Sequence, residues 1–284
     1  MGTQQQAGDV VILSGKRTGF GTFGGTLKDF TATDLGIVSG KAALEASGVE
    51  ATQIDHVIYG NALQTSSEAI YLARHVGLGV GLPQEVPALT VNRLCGSGFQ
   101  ALVSGAQEIL LGEANAVLAG GTESMSQAPH VVRGARWGKM RLGEAGGFFE
   151  DLLWESLLDS NCGLTMAQTA EELAERYEVT REETDEVALR SQQRAAAAWA
   201  EGRFDAEITP VTVRTRKGDV EYAADEHIRT DASMESLGRL RPYFKKDGLV
   251  TAGNASGIGD GSASAVLADA AWAEAQGLEP IGRL

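Results

Sequence analysis

Cys95 is one of only two cysteines in the chain, and its neighbours are of the types that a thiol nucleophile needs. The stretch VNRLCGSGFQA (91–101) places it before Gly96 and Gly98, where a strand-like segment meets an apolar-periodic one. A thiol at a helix start lies near unpaired N–H groups and the positive end of the helix dipole, which favours the thiolate. Small neighbours also let a carbonyl approach, with backbone N–H groups available for an oxyanion. Two interpretations stay open: a nucleophile, or the small buried apolar residue that free cysteines usually are.

The other candidate groups carry weaker signals. Cys162, in SNCGL, has neither a helix start nor the pair of glycines that follows Cys95, so we expect a spectator. The segment GFGTFG (19–24) fits the pattern G-x-G-x-x-G, but no helix begins within it, which predicts a tight loop and not a dinucleotide site. None of the histidines stands in a catalytic arrangement or at metal-ligand spacing, so we expect no metal site and find no base for Cys95. They are His56, His75, His130 and His227.

Strand-like and helix-like segments alternate through the first 121 residues. Such alternation predicts the α/β class, with a mostly parallel sheet covered by helices. The expected strands are 10–13, 55–60, 86–92 and 116–121, and the expected helices are 34–46, 67–76 and the run that follows Cys95.

The residue pattern changes between about 125 and 250 and then returns to that of a core. A helix pair is expected there, the second helix beginning with a capping box of Thr180 and Glu183. A strand is expected near 207–214. A basic cluster before this pair favours either a solvated loop or a contact to phosphate or to another subunit. It consists of Arg133, Arg136, Lys139 and Arg141.

Composition argues against several classes of function. The net charge of −14, from 38 acidic and 24 basic residues, argues against a nucleic-acid-binding surface. No apolar run has the length of a membrane span, and no signal peptide is recognisable at the N-terminus. With 43% hydrophobic residues and two cysteines, the sequence predicts a globular protein of a reducing cytoplasm.

Three long segments, in this order and spacing, resemble the thiolases, the acyl-CoA C-acyltransferases that make or cleave 3-ketoacyl-CoA. They are VNRLCGSGFQA (91–101), AGGTESMSQAPH (119–130) and VTAGNASGIGDGSASAV (250–266). KRTGFGTFGG, DHVIYGNALQ and DEHIRTDASMESLGRLRPYF agree with them, so the resemblance covers essentially all 284 residues. The second of the three long segments favours the thiolases over the related ketoacyl synthases.

The resemblance implies a layered α/β fold of two similar halves, with an α+β loop domain inserted into the first half. Residues 1–124 would form the N-terminal core, and residues 125–249 the loop domain that covers coenzyme A (CoA). Residues 250–284 would return to that core and begin the second half. A homo-oligomer, dimer or tetramer, is also implied.

The family pattern implies a role for individual residues. Cys95 would attack the acyl-CoA thioester and carry the acyl group. CoA is a substrate in this pattern, and no further cofactor is implied. Thr165 stands where many biosynthetic members carry histidine, which leaves the acyl-chain length open. The implied CoA contacts are Arg229, Ser236, Ala252, Gly253 and Ser256, and the implied wall of the acyl pocket is Leu157 and Met166.

Three thiolase motifs of the second half, N-E-A-F, G-H-P and C-x-G-G-G, do not occur in these 284 residues. By the resemblance they supply the histidine that activates the nucleophile and the cysteine that moves the proton in the carbon–carbon step. We therefore expect an acetyl-CoA acetyltransferase that needs a C-terminal half for activity. The alternative is a non-catalytic acyl-CoA-binding or scaffold subunit of the same fold.

Overall fold

The computed structural model describes residues 9–138 and 149–284. These residues form two compact units. Unit 1 contains the described residues of Met1–Gln127, Asp205–Glu226 and Gly259–Leu284. Unit 2 contains those of Ala128–Phe204 and His227–Ile258.

Strands and helices alternate along the described chain. Unit 1 contains β1 (Val10–Arg17), β2 (Gly21–Thr22), α1 (Ala32–Ser47), β3 (His56–Gly60), α2 (Leu72–Val80), β4 (Ala88–Val91), α3 (Ser97–Leu110), β5 (Ala116–Ser124), β10 (Val211–Thr215), β11 (Gly218–Tyr222), β12 (Gly259–Asp269), α8 (Ala270–Ala275) and β13 (Gly282–Arg283). Unit 2 contains β6 (His130–Val131), β7 (Glu150–Asp151), α4 (Leu152–Ser156), β8 (Leu158–Asp159), β9 (Leu164–Thr165), α5 (Met166–Arg176), α6 (Arg181–Ala200) and α7 (Met234–Gly238).

The main sheet of unit 1 has the strand order β13-β1-β12-β5-β3-β4, and β2 pairs with the end of β12. Strand β3 is parallel to both β4 and β5, as expected where a helix crosses between strands. Strand β12 is antiparallel to β1 and β5, so β1, β5, β3 and β4 run in one direction. The α/β class predicted from the sequence is confirmed.

Successive side chains of the buried strands point to opposite faces of the sheet, so both faces are apolar. Helices cover both faces and bury these side chains. In β3, Val57 and Tyr59 belong to the core cluster that also holds residues of α1 and α2. Ile58, between them, belongs to the cluster that holds Ala101 and Ala106 of α3. The sheet therefore forms the middle of three layers, with α3, the helix that follows Cys95, on one side.

The structure differs from the expected domain division in the segment Asp205–Glu226, which packs in unit 1. The hairpin β10–β11 buries Val211 and Tyr222 in one cluster with Leu27 and Leu35. This apolar burial holds the hairpin against α1 and the loop before it. Residues 250–258, expected in the core, lie in unit 2.

Unit 2 is built around α5 and α6. The capping box of Thr180 and Glu183 is present at the start of α6, as predicted. Asp185, buried on the same helix, pairs with Arg181 at 2.8 Å and accepts a hydrogen bond from Asn254 at 2.9 Å. None of the helices in residues 9–138 and 149–284 is long and apolar enough to cross a membrane.

Candidate active site

Cys95 lies in the tight turn between β4 and α3, directly before the Gly96 that caps the helix. Its side chain is exposed. The described residues therefore do not bury this thiol. The expected position between a strand and a helix start is confirmed.

The turn around Cys95 has an unusual backbone that is held by hydrogen bonds. Leu94 has a φ of 51°, a left-handed conformation that costs free energy in a residue with a Cβ. Its carbonyl accepts hydrogen bonds from the N–H of Ser97 at 3.0 Å and from the Ser97 hydroxyl at 2.6 Å. The same hydroxyl accepts from the N–H of Arg93 at 2.9 Å. Ser97 thus fixes both residues before the cysteine.

Three backbone N–H groups of this turn remain available. In the part of the chain that the structure describes, those of Cys95, Gly98 and Phe99 have no hydrogen-bond acceptor. Free donors are expected in the first turn of a helix, where they attract negative charge. They are suited to a thiolate, or to the oxyanion formed when a thiolate attacks a thioester.

Glycines let the strands approach the start of α3 closely. A Cβ on Gly60, the last residue of β3, would lie 2.5 Å from the carbonyl oxygen of Ser97 and 2.7 Å from the nitrogen of Gly98. A Cβ on Gly121 in β5 would lie 3.0 Å from the Cα of Gly98. The first turn of α3 therefore rests directly on the backbone of the central strands.

A largely buried carboxyl is connected to the same turn. Glu123, near the end of β5, accepts a hydrogen bond from the N–H of Ala62. Burial raises the pKa of Glu123 to about 7, although backbone hydrogen bonds lower it. The carbonyl of Ala62 accepts from the side chain of Asn92 at 3.0 Å, and the Asn92 side-chain oxygen accepts from the N–H of Leu94 at 2.9 Å.

Sequence reasoning missed Glu123, Asn92 and Leu94. The one available signal was an acidic residue at the end of the apolar strand that contains AVLAGG (116–121). A charged group in such a position has to be paired, solvated or neutralised, so it marks a candidate for a special role.

The described residues of unit 1 provide no histidine partner for Cys95, which is a free, exposed cysteine. In unit 1, His56 opens β3 at the end away from Gly60, and His75, within α2, stacks on Tyr71 at the start of that helix. The other two histidines belong to unit 2. The base that the sequence left unassigned is not found among the described histidines of unit 1.

The residues expected to form the acyl-pocket wall lie together in unit 2. Leu157 follows α4 and Met166 begins α5, and the N–H of Met166 donates to the carbonyl of Leu157 at 3.0 Å. The hairpin β8–β9 joins them. Thr165, just before Met166, forms the N-cap of α5, with its side chain accepting from the N–H of Gln168. Its hydroxyl therefore has a structural partner.

The residues expected to contact CoA also lie in unit 2. Arg229 is exposed, and its backbone N–H donates to the Gln192 side chain at 2.7 Å. Ser236 belongs to the capping box of α7. A Cβ on Gly253 would meet Leu237 of α7 at 2.5 Å, so the loop of Gly253 lies beside this short helix. Ala252 and Ser256 are exposed in the same loop.

Two of the remaining sequence candidates, Cys162 and Arg133, have ordinary partners. Cys162 is exposed in the turn of the β8–β9 hairpin, and its thiol donates to the carbonyl of Asp159 at 3.8 Å. In the basic cluster, Arg133 pairs with Glu150 at 2.6 Å. Two members of that cluster, Lys139 and Arg141, lie outside the described residues.

Comparison with known proteins identifies the class. Residues 10–271 match the family model described as the N-terminal domain of thiolase. The resemblance carried by the three motifs is confirmed, and the chain belongs to the thiolase family.

The similar proteins are named as thiolases or acetyl-CoA acetyltransferases. The mitochondrial 3-ketoacyl-CoA thiolase of Homo sapiens is 53% identical over 275 residues, which make up 97% of this chain and 69% of that protein. An acetyl-CoA acetyltransferase of Rhizobium meliloti is 44% identical over 97% of this chain and 69% of its own length. The crystal structure of the human mitochondrial enzyme in complex with CoA superposes with a TM-score of 0.92, at 52% identity, over 98% of this chain and 69% of that one. The names agree with an acyltransferase chemistry.

Proposed function

We propose that Cys95 carries the acyl group between two CoA-bound substrates. The sulfur attacks the thioester carbonyl, a bond from sulfur to the acyl carbon forms, and the bond from that carbon to the CoA sulfur breaks. CoA leaves as the thiolate, and the proton of Cys95 passes to a base. The free N–H groups of Cys95, Gly98 and Phe99 are donors suited to the tetrahedral oxyanion.

One observation carries this proposal. An exposed thiol follows a left-handed residue and precedes the free N–H groups of a helix start. A subunit that only bound acyl-CoA would have no chemical use for this arrangement, which favours the enzyme over the scaffold subunit.

We further propose that activity needs a C-terminal thiolase half, which brings the histidine and the second cysteine of the family. The apolar face of α3 supports this proposal. Phe99 is 81% exposed, and Val103 and Leu110 on the same helix are also exposed. An exposed apolar face is typical of a surface that another polypeptide segment covers.

The proposal includes CoA contacts from Arg229, Ser236, Ala252, Gly253 and Ser256, and an acyl-pocket wall of Leu157 and Met166. Their support is the family pattern and the CoA-bound structure of the human relative. The relatives' names include both a 3-ketoacyl-CoA thiolase and an acetyl-CoA acetyltransferase, so the acetyl preference stays a prediction. So do the homo-oligomer and the cytoplasmic localisation, since the human relative is named as mitochondrial.

The test is acyl transfer to a single side chain. The chain, reconstituted with a C-terminal thiolase half, is incubated with acetyl-CoA and analysed by peptide mass spectrometry. We expect one acetyl group on Cys95, none on a Cys95→Ala variant, and an unchanged adduct on a Cys162→Ser variant. CoA binding without any adduct would favour the scaffold subunit instead.

A further inference from the structure

Glu123 has surroundings that the acyl-transfer chemistry does not explain. One oxygen of its carboxyl accepts a hydrogen bond from the N–H of Ala62. The other, Oε2, is buried and accepts no hydrogen bond of ordinary geometry from the residues that the structure describes, although the nearby backbone N–H of Leu63 also lowers the pKa of the carboxyl. Burying a carboxyl with an unpaired oxygen costs free energy, so its presence calls for a physical reason.

The hydrogen bonds that begin at Glu123 lead to the nucleophile. Ala62 donates its N–H to Glu123. The carbonyl of Ala62 accepts a hydrogen bond from the Asn92 side-chain nitrogen at 3.0 Å. The Asn92 side-chain oxygen then accepts from the N–H of Leu94 at 2.9 Å. Leu94 directly precedes Cys95 in the chain. Three successive hydrogen bonds thus join the Glu123 carboxyl to the residue before the thiol.

The last of these bonds holds a strained residue. With a φ of 51°, Leu94 adopts a conformation that persists only where its neighbours enforce it. Ser97 holds the carbonyl of Leu94 from the helix, and Asn92 holds its N–H from the strand side of the turn. Because Asn92 is exposed, its side chain needs an anchor of its own, and the Ala62 carbonyl provides it.

We propose that Glu123 is a positioning residue for Cys95, acting through Ala62 and Asn92 on the left-handed backbone of Leu94. Glu123 does not touch the thiol or a substrate in this role. The inference rests on the proposed function in one respect, because that function gives the orientation of Cys95 its purpose.

The side chain at 123 offers a conservative substitution. Since burial raises the pKa of Glu123 to about 7, much of the carboxyl is neutral near neutral pH. A glutamine has the shape of that neutral acid and keeps an oxygen for the N–H of Ala62, whereas an alanine keeps no acceptor. Glu123→Gln should therefore preserve the chain of hydrogen bonds, and Glu123→Ala should break it.

Asp55 provides a matched control at the other end of the same strands. Its carboxylate accepts from the N–H groups of Asn115, at 2.7 Å, and Ala116, at 3.2 Å, just before β5 and at its start. Like Glu123 it joins the β3 and β5 regions through backbone N–H groups, but its hydrogen bonds do not lead to Leu94. Asp55→Ala thus removes a comparable structural bond away from Cys95.

The experiment measures the turn directly in a Cys162→Ser background, where Cys95 is the only thiol. Hydrogen exchange of residues 92–96 is followed by mass spectrometry, and the rate at which iodoacetamide alkylates Cys95 is measured. Circular dichroism ensures that all variants are compared at the same folded fraction. We expect Glu123→Ala to speed exchange and to slow alkylation about tenfold, because the thiol loses its fixed orientation beside the helix start. Asn92→Ala should do the same, and the double variant should be no worse than either single variant, as for one connected pathway.

Glu123→Gln should stay within about twofold of the parent chain in both measurements, because it keeps the acceptor. Asp55→Ala should change neither. The proposal is overturned if Glu123→Ala behaves like the parent, if Asp55→Ala behaves like Glu123→Ala, or if glutamine fails to rescue. Should Glu123→Ala fail to fold, the exposed Asn92→Ala variant decides by the same criteria.

These measurements are separable from the acyl-transfer test because they use no acyl-CoA. A Glu123-dependent turn in a protein that never acquires an acetyl group would refute the proposed function alone. If Cys95 is acetylated but the turn is unaffected by substitution of Glu123, the positioning role alone is refuted.

Discussion

Gly60→Ala should displace the start of α3, because the structure leaves no space for a single methyl group at that position. The added Cβ would lie 2.5 Å from the carbonyl oxygen of Ser97 and 2.7 Å from the nitrogen of Gly98, where ordinary contact begins at 3.4 Å. The Ser97 carbonyl carbon would lie closer still, so the first turn of the helix must move by about 1 Å to reach ordinary contact. Both obstacles are backbone atoms, which cannot change rotamer to make room.

We expect this substitution to lower the free energy of unfolding by about 3 kcal/mol, the upper end of the range for overpacked cores. The same displacement should disturb Cys95, which lies just before that turn. Urea unfolding measures the first effect, and the alkylation rate of Cys95 in the folded protein measures the second.

Two glycines provide controls. A Cβ on Gly15 in β1 would have nothing within 4 Å, so Gly15→Ala should be close to neutral. On Gly98, inside α3, the nearest atom to a Cβ would be the Gly121 Cα at 4.0 Å, and alanine there should stabilise the helix by up to about 1 kcal/mol. Gly60 and Gly98 are neighbours in space, yet their alanine variants should shift stability in opposite directions. A neutral Gly60→Ala, or an equal loss from Gly98→Ala, would refute the argument from backbone contact.

Three further predictions concern single side chains. The folded-state pKa of Glu123, about 7, lies above its ordinary value of 4.5, so the stability contributed by the neutral acid is present at low pH and lost as the pH rises from 4.5 through 7. Between about pH 5 and pH 8, urea titrations should show the free energy of unfolding of the parent chain falling by up to about 3 kcal/mol more than that of Glu123→Gln. If the two free energies changed in parallel with pH, this prediction would be contradicted. Thr165→Ala removes the N-cap of α5 and should cost about 1 kcal/mol by urea unfolding, with Thr165→Ser as the matched control. Arg181→Ala leaves the buried carboxylate of Asp185 without its charged partner, and a loss of about 3 kcal/mol is expected; replacing the exposed Arg203 instead should change little.

Local patterns were sufficient to predict most elements of unit 1. The apolar spacing in 34–46 marks α1, which runs from Ala32 to Ser47, and the apolar run 116–121 lies within β5. The turn at Cys95 was predicted for the same reason, since glycines interrupt the chain between a strand and a helix pattern. In each case the information lies within a few residues of the element itself.

Long-range pairing could not be predicted from such patterns. Strand β12 is remote in sequence from β1 and β5, yet it lies between them in the sheet. The hairpin β10–β11 follows the helices α5 and α6 of unit 2 in the chain, but its apolar face packs with Leu27 and Leu35 of unit 1. Alternating apolar residues show that a face is buried without showing what buries it.

The same limit explains why Cys95 was found and Glu123 was not. A helix start and its glycines adjoin the cysteine in sequence, whereas the support of the turn comes from Ala62 and Glu123, which only the folded sheet brings together. Asn92 is close in sequence, but an exposed asparagine before a turn is common and carries no specific signal.

The two cysteines show what this support adds to exposure. Both thiols are exposed, and both lie in turns, so accessibility alone does not distinguish them. Cys162 lies in a hairpin turn whose left-handed residue is Gly163, where that conformation costs little. At Cys95 the left-handed residue is Leu94, which has to be held in place by hydrogen bonds from the residues on either side. Hydrogen bonds that hold a strained residue beside one thiol restrict the orientation of that thiol, which is what the proposed role of Cys95 as a nucleophile requires.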